Sequence, residues 1–80
     1  MQPKLSPGYS ITLRLEFPDV PGFLGRITTA IGRAGGTIDS VDNVHLGGEV
    51  RTRDITVHCA GLEHAHAVVQ AMRAIRRLRV

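Results

Sequence analysis

Between Tyr9 and Phe17 the chain alternates. Ile11, Leu13, Leu15 and Phe17 fall on one side, and Thr12, Arg14 and Glu16 fall on the other. Successive side chains of a strand point to opposite faces, so this run predicts a strand with one face buried. The corner PDVPG ends it. From Phe23 the period lengthens: Phe23, Leu24, Ile27, Ala30, Ile31 and Ala34 share one helical stripe, with Arg26, Thr29 and Arg33 away from it. Gly35 and Gly36 follow, where a left-handed residue closes a helix without steric cost.

The next stretch, TIDSVDNVHL, is less regular. Ile38, Val44 and Leu46 share a parity that Val41 breaks, which predicts a bulge, and the polar content suits an edge strand. GGE turns the chain. RTRDITVHCA then reads as a third strand with Ile55, Val57 and Cys59 toward the core. Leu62, Ala65, Val69, Met72 and Ile75 mark a second helix, and LRV has the character of a strand beginning.

This order predicts an α+β, ferredoxin-like βαββαβ fold, an antiparallel sheet with both helices on one face. The opposite face, carrying Arg14, Glu16, Thr56 and His58, is left polar or covered by another domain. Residues 9–80 form the domain and 1–8 a flexible tail. The last strand is very short, since strands usually run about 5–6 residues. The chain is therefore expected to be a fragment of a longer protein.

Composition narrows the class. A chain of 80 residues buries only about 60% of its unfolded surface, so its stability is marginal without a partner. Cys59 is the one cysteine, placed as a small core residue. No disulfide is possible within the chain, and a reducing, cytoplasmic setting is expected. No apolar run approaches the roughly 18–20 residues of a membrane span, and MQPKLSPG is no signal peptide. The net charge is +3, with four of the ten basic residues at Arg73, Arg76, Arg77 and Arg79. There they complement the negative end of the last helix. Base stacking on this fold needs aromatic residues on the exposed strand face, and only His58 qualifies, so no nucleic acid is expected as a partner.

Catalytic and metal sets are missing from the pattern. No serine sits in a nucleophile elbow, and His58 points away from Cys59. His64 and His66 lie about 200° apart around a helix. His45 and His58, on different strands, lack a third ligand. PGFLGRIT is not a phosphate loop. No cofactor, metal or catalytic residue is expected. What remains is the corner. Pro21 fixes φ, Gly22 permits close approach, and the amides of Gly22, Phe23, Leu24 and Gly25 lie at a helix start, which attracts an anion such as a small carboxylate. A plain strand-to-helix turn would use the same residues.

From Ser10 onward the chain resembles the ACT domain, the small regulatory ligand-binding module attached to many metabolic enzymes. The resemblance rests on ITLRLEF, then DVPGFLGRI, then AIGRAGGTI. Together with RTRDITVHCAGLEHA, in which RDITV followed by EHA discriminates, it is similar to the ACT domain preceding the catalytic part of some bacterial NAD-dependent malic enzymes. The resemblance implies a non-catalytic regulatory domain that pairs with a second copy through the first helix and the edge strand. It implies a small effector, an amino acid or carboxylate, at the seam, and the catalytic domain of the parent enzyme as partner. Asp19, Val20, Pro21, Gly22, Phe23 and Leu24 would form one wall. The edge strand from Thr37 to Asp42, with Thr37, Asp39 and Asp42 as its ligand-binding residues, would form the other across the homodimer. Asp19, Thr37 and Phe17 depart from the serine-binding pattern of such domains, which has asparagine, asparagine and histidine there. Asp19 can accept from an ammonium group but would repel a carboxylate. An assembly module that binds no ligand is the alternative.

Overall fold

The computed structural model describes residues 9–45 and 48–80; the expected tail at 1–8 and Leu46 lie outside them. The elements are β1 (Tyr9–Pro18), α1 (Phe23–Arg33), β2 (Thr37–His45), β3 (Val50–Cys59) and α2 (Leu62–Arg73). The three strands form one antiparallel sheet in the order β1-β3-β2. The ferredoxin-like order is present, with its fourth strand reduced to a single bridge. Glu16 donates to the Arg79 carbonyl at 2.8 Å and Arg79 returns the bond at 2.9 Å, on the side of β1 away from β3.

The alternation of β1 and β3 builds one half of the core: Leu13, Leu15 and Phe17 against Ile55, Val57 and Cys59. Phe23, Ile27 and Ile31 of α1 close it from above, with Leu24, Ala30 and Ala34 at its margin as the stripe predicts. Burial pushes the Cys59 thiol up from its ordinary value, which leaves it a packing residue. In α2 the buried row is Ala65, Val68 and Met72, while Leu62 is 56% exposed. Apolar residues surround this helix broadly, so periodicity alone does not choose between Val68 and Val69.

The outer face of the sheet is satisfied by pairs across β1 and β3. Ser10 meets His58 Nδ1 at 2.8 Å, Thr12 meets Thr56 at 3.1 Å, and Arg14 grips Asp54 through two bonds of 2.8 and 2.9 Å. In β2 the pairing slips twice, at Asp39 and at Val44. The first slip brings Val41, opposite Ile55, onto the helix face with Ile38. The second leaves Val44 out of step, so it does not share Ile38's face by simple parity.

The two glycines after α1 do different things. Gly35 takes φ +88° and donates to Gly32, and Gly36 donates to Ile31, the Schellman closure. Gly36 does not have positive φ. It lies where a side chain would collide with the core.

A histidine ties the two helices together. The Ala60 amide donates to His64 Nδ1 at 2.7 Å, so the ring proton sits on Nε2, 2.7 Å from the Ala34 carbonyl. One imidazole thereby satisfies a donor before α2 and an acceptor at the end of α1. His64→Phe keeps the ring volume but removes both bonds, and is expected to cost about 1–3 kcal/mol in urea unfolding, at about 0.5–1.5 kcal/mol for each.

Candidate functional site

The corner between β1 and α1 is a type II turn. Phe23 donates to the Val20 carbonyl at 3.3 Å, and Gly22 sits at φ 83°, ψ −7°, the third position where that turn requires glycine. Pro21 supplies the preceding φ. The first helical bond runs from Arg26 to Gly22 at 3.1 Å. Phe23 is held by its ring, stacked on Phe17 with centroids 5.4 Å apart and covered by the Arg26 guanidinium at 4.9 Å.

Four amides, of Gly22, Phe23, Leu24 and Gly25, stand at this helix start. The turn uses that of Phe23, while those of Gly22, Leu24 and Gly25 have no backbone partner. No side chain caps the helix and its first turn holds no acid. A methyl group at Gly22 would meet nothing within 4 Å. The corner is open to solvent.

Asp19, the charged residue of this wall, already has a partner. Its amide donates to the Glu49 carbonyl at 2.9 Å, and its carboxylate accepts from Arg51 at 2.8 Å. The hydrogen bond from Arg51 holds the Asp19 carboxyl below the usual carboxylate range against some desolvation, and the charges of Arg51 and Arg53 add to it. Arg14 does the same for Asp54. Both carboxyls are depressed, so their contribution is present above the ordinary carboxylate range and fades as pH falls through the lower folded values. Acid-induced loss of stability is therefore expected to soften in an Asp19→Asn, Asp54→Asn double variant, read from urea midpoints between pH 7 and pH 2.

The edge-strand residues lie elsewhere within one chain. Thr37 pairs with His58 and Asp42 with Asp54, and Asp39 approaches His58 Nε2 at 3.5 Å. All three belong to the outer face, whereas the corner stands on the helix face. Thr37 is also about 26 Å along the sheet from the Pro18 end, at 3.3 Å per residue. The β2 residues on the corner's face are Ile38, Val41 and Asn43, with Asn43 opposite Arg53. Periodicity does contain one signal for Arg51 and Arg53. They share the parity of Ile55, Val57 and Cys59, so two arginines occupy core-side positions of β3.

An open groove of about 490 Å³ starts at Gly22 and runs along α1 past Gly25, Arg26, Thr29 and Arg33. Among the described residues no three His, Cys, Asp or Glu side chains are grouped so that they could hold a metal ion. His45 pairs with Thr52, about 20 Å along β3 from His58, so these two histidines do not approach. No helix among the described residues is long and apolar enough to cross a membrane.

No family model matches the chain. NAD-dependent malic enzyme 1 of Bacillus subtilis is 44% identical over 64 residues, covering 80% of this chain and 15% of that enzyme. The chain is homologous to the N-terminal region of bacterial NAD-dependent malic enzymes. The NAD-dependent malic enzyme of Geobacillus stearothermophilus is 33% identical over 72 residues, covering 89% of this chain and again 15% of the enzyme. The chain thus spans about one seventh of the length of these malic enzymes.

Proposed function

We propose that this chain is a regulatory domain of the ACT type, attached to an NAD-dependent malic enzyme, that pairs with a second copy and responds to a small effector at the corner. The 44% identity to a malic enzyme over 64 residues carries this reading. Catalysis belongs to the remainder of the enzyme. The open amides of Gly22, Leu24 and Gly25 support an anionic effector. Val41 supports the pairing: it lies opposite fully buried Ile55, yet is itself 39% exposed. The helix face of the sheet is uncovered at its β2 edge, beside α1.

The two slips in β2 leave Ser40–Asn43 as its regular run, so a neighbouring strand could pair over only a short length. Side-chain packing by Val41 and α1 would then supply most of the contact. An effector at such a seam shifts an equilibrium only by its differential affinity for the two states, typically about 1–3 kcal/mol.

A second reading, an assembly module without ligand, is favoured by one observation. The corner satisfies Asp19 through Arg51 and Phe23 through Val20 without outside help. Sedimentation velocity separates the two, run with and without pooled amino acids and dicarboxylates. A dimer that tightens with one pool supports regulation. A dimer indifferent to every pool leaves the assembly module, and a monomer under all conditions rejects both.

A further inference from the structure

We infer that the corner takes a small carboxylate with at least two negative charges and no ammonium group, with Arg53 and Arg51 as its counter-charges; this rests on the regulatory reading above. Arg51 and Arg53 project from β3 on the helix side, opposite Phe17 and Leu15 of the strand that leads into the corner. One carboxylate answers them: Asp19, at 2.8 Å from Arg51. Glu49 is exposed and pairs with neither. Among the described residues Arg53 has no ion pair. The Nε atoms of both arginines are buried without a hydrogen-bond acceptor.

Two guanidiniums and one carboxylate leave a surplus positive charge, with two inward donors unanswered. Both arginines remain partly exposed, so an added carboxylate answers the surplus charge through their outer nitrogens, where guanidinium and carboxylate match in geometry as well as charge. An ammonium group would add to that surplus instead. Its natural acceptor, Asp19, is already engaged, and it would enter beside two positive charges. The unpaired amides of Gly22, Leu24 and Gly25 suit a second carboxylate of the same ligand. An amino acid, whose ammonium needs a free acceptor, is thus the poorer guest.

The test is amide and arginine Nε NMR on the 80-residue chain, titrated with succinate and, separately, with L-aspartate, the same skeleton bearing an ammonium. Succinate is expected to move the Gly22, Leu24 and Gly25 amides and the Nε–H of Arg53, and to bind about tenfold more tightly than aspartate, the order of one like-charge repulsion at about 4 Å in water. Arg53→Gln should weaken succinate by about tenfold or more. Asp19→Asn, which frees Arg51, should tighten it. If Arg53→Gln fails to fold, the direction of the Asp19→Asn change decides alone. Aspartate binding more tightly than succinate, and lost in Asp19→Asn, would overturn this inference while leaving the regulatory reading intact. Succinate shifts unaltered by both variants would place the anion elsewhere and also overturn it. Silence to both probes and to the pooled effectors would reject both proposals.

Discussion

Phe23→Ala is expected to remove about 3–5 kcal/mol of stability, the usual cost of emptying a buried phenylalanine site. A single core in a chain of this size rarely supplies more than about 3–5 kcal/mol, so this variant should be substantially unfolded at room temperature. The ring is 2% exposed and stacks on Phe17 at the point where β1 turns into α1. Removing it costs burial, the aromatic pair and the seat of the Arg26 guanidinium at once. Arg26→Ala tests the division of these effects: it removes the cation alone and should cost about 0.5–1 kcal/mol. Circular dichroism during urea unfolding reads both. A Phe23→Ala midpoint near that of the parent chain would mean that the turn holds the helix start without the ring.

The second large effect is expected at Gly36, where one methyl group is enough. A Cβ there would lie 2.7 Å from Val57 Cγ1 and 3.0 Å from Ile31 Cγ2. Both neighbours are fully buried, so neither can swing into solvent. Forcing volume into a packed core costs about 1–3 kcal/mol and at times more. Gly36→Ala should therefore lower the urea midpoint clearly. Gly25→Ala should move it the other way, by less than the about 1 kcal/mol that separates the two residues in a helix interior, because Gly25 stands in the first turn of α1. That position has nothing within 4 Å of an added methyl. Equal responses at the two glycines would show that propensity, not packing, governs the α1–β2 connection.

How legible these features are in the sequence depends on how local their causes are. β1, α1 and β3 each bury one face, so their periods announce them and even name the core residues. The bulge in β2 shows as a broken parity at Val41, but a second slip at Val44 leaves no such trace. α2 is apolar on too wide an arc for its buried row to be read. The Pro-Gly corner is legible because a type II turn has strict residue needs. Its electrostatics are not: Asp19 and Arg51 are 32 residues apart, and only the register of β1 against β3 brings them together. The role of His64 is not local either: its spacing from His66 only rules out a shared metal, and tertiary structure alone gives it Ala34 and Ala60 as partners.

The imidazole of His64 has a mechanical consequence. α1 is a rod of eleven residues, about 16 Å long, whose near end is the Gly22 turn. Its far end is pinned through Ala34 to His64 and so to the amide of Ala60, where β3 gives way to α2. A tilt of α1 at the corner must either break this link or carry it along. Where the link holds, part of the displacement reaches, by leverage, the junction that aims the second helix.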